Sequence, residues 1–558
     1  MQSMSSLAPL ESAQDLVRRR FEEAHIPLQS LETRHFPGEL IVVVFTPESH
    51  FDDAVRLANE LDDLIEDGFV TVRRSGRKEP QVSQSGASSL RDQRISGLID
   101  LLSSRSRTSE AAPSLKYVID LAENIGSIMA PRHHLVFGRR GVGKTALLVE
   151  AKTLLEKRGN LAFWINLQML RRFDAFTAFL EIADRLCDMP LVAHKLRTDS
   201  ALSSRRAEDV KTRISRLREQ PLKAVDAQRV ITELHYVLHV LSKETDSDIF
   251  IFIDDMHYMQ RSELPGLLDM LHALTRDNRV WLKVAGIRHQ CRWFSDDPPT
   301  GLQSGHDAQI ISLDVTLEEP EKARGFLWSI FRTYSEEAGV RNISRFLGSA
   351  AVDRLVLASG GVPRDFLTLS ASAIQIARQR EKGRITGVQD VNEAAGRAAD
   401  VKLRELEEDA AASVGGAERQ ISALNIIRRE VVDRASHTIF RIDFRDKESC
   451  AREYELVQSL MDLRLVHLIN SSVSDAHEAG RRYEVYMLDL SQFTGRRFKQ
   501  RLVVLDFEKG ALVQRRTRSK ERPFVADTAR KRVQIFRNSP VFELEPLRAL
   551  VDSPAGGH

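Results

Sequence analysis

Leu135-Val-Phe-Gly138-Arg139-Arg140-Gly141-Val142-Gly143-Lys144-Thr145-Ala146-Leu-Leu148 is the stretch from which the rest of the chain is read. Its first three residues are apolar and read as the end of a buried strand. A glycine-rich turn follows, and Thr145 opens an apolar, helix-forming run. Strand, GxxxxGK[ST] and helix in this order form a P-loop. The glycines let the backbone curl, so that the N–H groups of residues 138–146 point at phosphates and the helix N-terminus adds positive potential. Lys144 would reach the β- and γ-phosphates, and the Thr145 hydroxyl would ligate Mg²⁺.

Asp248-Ile-Phe-Ile-Phe-Ile253-Asp254-Asp255-Met256-His257 supports this reading. Its apolar run fits a central parallel strand covered on both faces, and it ends in paired carboxylates. The C-terminal ends of such strands are where open α/β sheets bind ligands. Asp254 would hold the Mg²⁺ and its water shell, and Asp255 would orient or deprotonate an attacking water. A chance strand–helix turn, or a strand that merely ends in a polar loop, would explain either stretch alone but not both.

At 558 residues the chain is too long for one core and implies three or four domains. Its 42% hydrophobic and 29% charged residues are ordinary for a globular protein. A net charge of +2 means that any nucleic-acid surface is local. Cys187, Cys291 and Cys450 lack the spacing of a disulfide framework or a zinc site and fit a reducing cytosol. No apolar run approaches the roughly twenty residues that span a bilayer, and the N-terminus lacks a signal-peptide core. The expectation is a cytoplasmic protein with no membrane segment.

In chain order, residues 1–76 read as a small α/β unit: helix Leu16–Ala24, strand Leu40–Phe45, helix Phe51–Ile65 and strand Gly68–Arg73. Residues 77–93 read as a polar linker. A P-loop core is expected over 94–316, with a helical insertion over 170–245 and further strands at Leu161–Asn166, Val280–Ala285 and Gln309–Val315. Within the insertion, Lys195 to Lys223 is basic (Arg197, Arg205, Arg206, Lys211, Arg213, Arg216, Arg218). It is either a binding insertion or a solvated helical face. Arg288, at the tip of the Val280–Ala285 strand, could touch a γ-phosphate or be a surface arginine. A helical lid is expected over 317–400. Within it, Gly360-Gly361-Val362-Pro363-Arg364 stops one helix and starts the next. Arg364 could reach the phosphates across the lid.

Taken together, Gly138–Thr145, Ile251–Asp255 and Gly360–Arg364 resemble the P-loop ATPases of the AAA+/STAND superclass. The nearest likeness is to the origin-recognition-type initiators and their bacterial and mobile-element relatives. The resemblance covers residues from about 94 to 400 and implies ATP and Mg²⁺ as ligands, with Lys144, Asp254, Asp255, Arg288 and Arg364 as the working residues. Two positions depart from the family pattern. Asp255 stands where glutamate is usual, which implies slow hydrolysis. Arg288 stands where initiators carry a polar Asn or Thr, more as in STAND ATPases. A guanine-specific NKxD pattern is not evident, and the lid favours ATP.

In residues 401–500, helix Ala417–Arg434, strand Thr438–Phe444, helix Glu448–Leu463 and a hairpin of Val466–Asn470 with Arg482–Leu488 look like the winged-helix domain that initiator relatives place after the lid. The presumed recognition helix carries Arg452 but also Glu453, Glu455 and Asp462. The wing side carries Arg481, Arg482, Arg496, Arg497, Lys499 and Arg501. Residues 501–558 are basic, densest from Gln514 to Arg537, and read as an arm for nucleic acid or as a solvated tail partly packed by Phe524, Ile535 and Phe536. Two functions of different class follow. One is an ATP-hydrolysing switch that oligomerises and engages double-stranded DNA through its C-terminal domains, in initiation, a mobile element or genome defence. The other is a STAND-like signalling ATPase whose winged helix is structural and whose N-terminal unit recruits a protein partner.

Overall fold

The computed structural model describes residues 13–28, 30–36, 39–62, 65, 68–74, 87–104, 109–110, 117–118, 121–190, 202–219, 224–380, 383–410, 416–493, 501–508 and 511–552. The chain divides into two compact units, residues 1–86 and 87–558.

In the first unit, β1 (Ser30–Phe36) runs antiparallel to β2 (Glu39–Thr46), which runs parallel to β3 (Gly68–Arg74). Helices Ala13–Glu23 and Phe51–Asp62 accompany this sheet. Val17, Phe21, Ala54, Ala58 and Leu61 from the helices bury their side chains with Val42, Val44 and Val70 of the sheet. β1 was not anticipated from the sequence. Its Ser-Leu-Glu-Thr-Arg-His-Phe is mostly polar, as an edge strand can be, because only one of its sides pairs.

The second unit is built on a five-stranded, all-parallel sheet. Its strands are β4 (His133–Phe137), β5 (Leu161–Asn166), β6 (Ile249–Asp254), β7 (Val280–Gly286) and β10 (Ala308–Ser312), in the order β10-β4-β7-β6-β5. Alternation sends the side chains of Leu135, Phe137, Ile249, Ile251 and Ile253 to one face, against helices Ala175–Leu186, Ala224–Thr245 and Leu264–Ala273. Val136, Phe250 and Phe252 go to the other, against Leu147, Leu148, Ala151 and Leu155 of helix Lys144–Lys157. Burial on both faces explains why β6 is apolar from Ile249 to Ile253 rather than alternating. A short hairpin, β8 (Phe294–Asp296) with β9 (Pro299–Gly301), interrupts the path from β7 to β10.

One charge sits inside this sheet. Lys283 of β7 is 0% exposed, and its Nζ donates to the carbonyls of Ala130 (2.7 Å) and Arg132 (2.7 Å) and lies 2.9 Å from His134 Nδ1. Burial disfavours its charge, and the three acceptors offset that cost. The lysine thereby ties β7 to the turn that leads into β4.

Helix Leu202–Leu217 belongs to the insertion between β5 and β6, and two of its cations, with Arg218 just beyond it, meet acids. Lys211 lies 2.6 Å from Asp188, Arg213 2.8 Å from Glu233, and Arg218 2.8 Å from Glu181. These contacts accord with the solvated-face alternative. Lys195, Arg197 and Lys223 lie outside the described residues, as do Arg496, Arg497 and Lys499 of the wing side.

Beyond the sheet come helices Pro320–Glu337, Ser349–Ser359, Pro363–Gln379 and Val388–Ala410. Helix Gln93–Ser104, expected to belong with the sheet, packs with these instead through Ile95, Leu98 and Leu102, and Arg378 donates to Ser96 Oγ at 2.9 Å. Next are helix Gly416–Arg428, a π-helical turn Arg429–Arg434, β11 (Ile439–Asp443), helices Phe444–Ser449 and Ala451–Asp462, and the hairpin β12 (Val466–Ser474) with β13 (Arg482–Leu488). The three strands form an antiparallel sheet in the order β11-β13-β12.

The basic C-terminal stretch is folded where it is described. β14 (Val503–Glu508), β15 (Ala511–Arg516) and β16 (Phe524–Ala526) form a second antiparallel sheet, followed by helix Ala529–Arg537 with Ile535 and Phe536 buried. Apolar residues within the charge run (Leu505, Phe507, Leu512, Ala526) supply the core that turns an arm into a sheet. One continuous core holds Phe331, Leu355, Phe366 and Ile374 of the lid helices together with Phe440, Val457, Tyr486, Leu505 and Phe536. Lid and C-terminal sheets are therefore packed as one body.

Candidate functional site

Gly138–Thr145 leaves β4 and turns into helix Lys144–Lys157. Gly141 has φ 84°, in the left-handed region, and a Cβ there would come within 2.8 Å of Arg364 Cβ. Only glycine serves at this point, because the lid helix approaches the loop at contact distance. The Arg364 amide donates to the Gly141 carbonyl at 3.3 Å. Lys144 folds back on the loop, its Nζ donating to the carbonyls of Gly138 (2.8 Å) and Arg139 (3.1 Å). Burial pushes its pKa down from the ordinary lysine value, while Asp254 opposes the shift.

The Thr145 hydroxyl donates to Asp254 Oδ2 at 2.7 Å. Asp254 is 1% exposed, and burial with the neighbouring Asp255 raises its pKa to about 6. Asp255 follows with φ 58°, an uncommon value for a residue with a side chain, of the kind often found at working sites. Its carboxylate is held by the Asn166 amide, Nδ2 to Oδ2 3.0 Å. Parallel pairing of β5 with β6 sets Asn166 opposite Asp254. Asn166 was not singled out from the sequence. A polar residue ending an apolar strand was visible, but its reach to Asp255 depends on which strands are neighbours.

Lys144, Thr145, Asn166 and Asp255 line a cavity of about 520 Å³, while Asp254 is buried and outside its lining. Arg140–Leu147, Asn166, Asp255 and His257 form its polar part, and Arg364 faces them from the lid. Tyr117, Val118, Leu313, Phe326, Ile330 and Leu367 form an apolar part that suits a flat heterocycle. His257 is another cavity residue that sequence reasoning passed over. Its side chain is buried, its Nδ1 lies 3.9 Å from Asp255 Oδ1, and burial with the nearby Lys144 and Arg140 cations lowers its pKa to about 3. It is neutral at physiological pH.

Not every residue named from the sequence faces this cavity. Arg139 turns away from the phosphate side. Its amide and Nε donate to Asp314 Oδ1 (2.9 and 3.2 Å), and its Nη2 donates to the carbonyls of Val315 (2.9 Å) and Gly360 (3.2 Å). It ties the loop to the end of β10 and to the lid. Val142 lines the cavity and packs into the core beneath helix Lys144–Lys157. Arg288 is not among the cavity-lining residues. Its guanidinium lies 6.0 Å from the ring centres of both Phe137 and Trp293. Its neighbours engage the C-terminal domain: His289 Nε2 lies 2.7 Å from Asp462 Oδ2, and Gln290 donates to the same carboxylate.

Chemically, the set is a hard-oxygen pair (Thr145, Asp254), a lysine and an arginine for anionic oxygens, and a carboxylate oriented by an amide. The oxygen pair fits Mg²⁺, which binds through one or two protein oxygens beside substrate phosphates.

Residues 118–282 match the AAA ATPase domain family. No curated protein matches the chain. Among solved structures, the chain is similar to the Aeropyrum pernix ORC1 protein in complex with DNA. Identity is 15% and TM-score 0.33, over 74% of this chain and 92% of that one. The Aeropyrum pernix ORC2 protein gives 12% and 0.31 over 74% and 94%. The Thermotoga maritima RuvB Holliday junction branch migration motor gives 12% and 0.27 over 56% and 79%. TM-scores this low carry no functional inference. The parallel sheet, the glycine loop at the end of β4 and the match over residues 118–282 together identify a P-loop ATPase domain of the AAA+ class.

Proposed function

We propose that the protein is an ATP-binding and ATP-hydrolysing switch that oligomerises and engages DNA. The observation that carries the reading is the two-sided wall of the cavity: the loop and the Asp255 carboxylate on the sheet side, and Arg364 on the lid side in contact with Gly141. A bound nucleotide would touch both bodies, so its γ-phosphate can report to the lid.

In this reading Lys144 swings from the Gly138 and Arg139 carbonyls to the β- and γ-phosphates, and Arg364 neutralises the γ-phosphate from the lid. Thr145 and Asp254 would hold Mg²⁺, whose role is to neutralise charge on the phosphate oxygens. Asp255, fixed by Asn166, orients the attacking water and accepts its proton. Neutral His257 stands beside Asp255 and can hydrogen-bond that water without adding charge.

The test is ATP hydrolysis in Mg²⁺ with and without duplex DNA, with Lys144→Ala as the blank. A Lys144-dependent rate that rises with DNA supports the switch. A rate that ignores DNA favours a signalling ATPase with a structural winged helix. One contact favours that second reading: Asp462 of helix Ala451–Asp462 is held by His289 and Gln290 of the ATPase domain.

A further inference from the structure

We propose that the turn between β15 and β16, together with the start of β14, is the surface that meets the sugar–phosphate backbone of duplex DNA, and that helix Ala451–Asp462 is not. This rests on the DNA-engaging reading above and names the face that does the engaging.

The helix is both occupied and of the wrong charge. Asp462 is held by His289 and Gln290, Glu455 pairs with Arg261 at 3.1 Å, and Glu453 faces Arg548 at 3.6 Å. Arg452, its one cation, donates to the Val551 carbonyl at 3.4 Å and lies 3.8 Å from Asp552. A helix that carries more carboxylates than cations and is latched to its own ATPase domain cannot supply the phosphate contacts that dominate DNA affinity.

The small sheet supplies them. Gln514 pairs with Phe524 across β15 and β16, so residues 515–523 form the tip of a hairpin. The Arg501 amide donates to the Thr517 carbonyl at 3.1 Å, which brings the start of β14 to the same end. Arg501, Arg516, Arg518, Lys520 and Arg522 are all exposed there. The fold sorts the basic stretch into two groups. Arg515 is matched by Asp506 at 2.9 Å and Lys531 by Asp527 at 2.7 Å, whereas no described carboxylate lies within ion-pair distance of Arg516, Lys520 or Arg522. Phe524 and Val525, 37% and 42% exposed, flank the tip on the edge strand. A tip that concentrates positive charge has the character of a phosphate-binding surface, and its readout is of backbone rather than sequence.

The test uses the full chain. Anisotropy of a short labelled duplex is followed over a salt series for the wild type, the combined Arg516→Ser, Arg518→Ser, Lys520→Ser and Arg522→Ser variant, and Arg452→Ser. The combined variant should bind at least about a hundredfold more weakly at low salt. Its log–log salt slope should be shallower by about 3–4, as expected when about four phosphate contacts are lost. Arg452→Ser should bind within about twofold of wild type. A wild-type melting temperature and Lys144-dependent ATP turnover in the combined variant would show that it is folded. Unchanged duplex binding by that variant, or equal loss in Arg452→Ser, overturns the proposal and leaves the DNA-engaging switch standing. A wild type that binds no duplex overturns both. Single-stranded RNA binding tighter than the duplex, and lost with the same four cations, overturns the assignment to DNA.

Discussion

Gly360→Ala is the substitution by which the junction of loop, lid and C-terminal sheet can be judged most sharply. Gly360 has φ 57°, and a Cβ there would lie 2.0 Å from Nδ1 of the fully buried His467. His467 cannot easily retreat, because its Nε2 is hydrogen-bonded to Asp489 at 2.9 Å and Lys402 Nζ stands 3.6 Å from the same carboxylate. Two costs add. A left-handed backbone costs an alanine about 1–2 kcal/mol, and forcing a methyl group into a packed core costs about 1–3 kcal/mol more. The variant should therefore lose about 2–5 kcal/mol. His467→Ala opens the space, so in that background the same change should cost only the backbone part, about 1–2 kcal/mol. Urea unfolding of the four proteins, followed by tryptophan fluorescence, gives the cycle. The Gly360 carbonyl also accepts from Arg139, so the single variant should weaken nucleotide binding. If Gly360→Ala costs as much in the His467→Ala background as in the wild type, the close approach is not what requires glycine, and the reasoning fails.

Asp254 offers a pH test. Its folded pKa of about 6 lies above the unfolded value of 3.8. Its contribution to stability is therefore fully present below 3.8 and is lost as pH rises through 6 in the absence of metal. Metal binding needs the ionised form, so the Mg²⁺-dependent part of nucleotide affinity should fall about tenfold from about pH 7 to about pH 5. A flat profile of Mg²⁺-dependent fluorescent-nucleotide binding over that range would contradict the assignment. Asn166→Ala removes the amide that holds Asp255. ATP affinity should stay within about twofold while turnover falls at least about tenfold through lost orientation. Equal losses in both would mean that Asn166 serves binding instead. Lys283→Met should cost about 3 kcal/mol or more, because two carbonyls and His134 Nδ1 lose their donor inside the sheet. A thermal midpoint unchanged from wild type would show that the buried lysine is dispensable.

Much of the site was legible because its information is local. The spacing Gly138 to Thr145 and the run Ile249 to Asp255 each carry their chemistry within a few residues. What escaped is set by pairing. Asn166 reaches Asp255 only because β5 lies beside β6, and nothing in Leu161–Asn166 announces that neighbour. Arg139 looked like part of the phosphate cradle, yet the conformation of the turn sends its side chain toward Asp314 and Gly360. Arg288 sits at the strand tip as expected, but its guanidinium lies near Phe137 and Trp293 while His289 and Gln290 engage Asp462. In the C-terminal stretch, charge density masked a sparse apolar alternation, so an arm and a partly packed tail were both open and the sheet was not seen. The polar edge strand β1 was missed for the opposite reason, since it carries too little apolar pattern to register.

The core shared by the lid helices and the C-terminal sheets has a mechanical consequence. A joint that bends needs a seam where few side chains interlock, and among the described residues there is none between Phe366 on one side and Phe440 or Leu505 on the other. A lid that moves therefore carries the C-terminal sheets with it. Arg139, bonded to Asp314 and to the Val315 and Gly360 carbonyls, is a side chain that joins this body to the glycine loop. In the proposed switch, a phosphate gained or lost in the cavity would be felt by this whole body rather than by the lid alone.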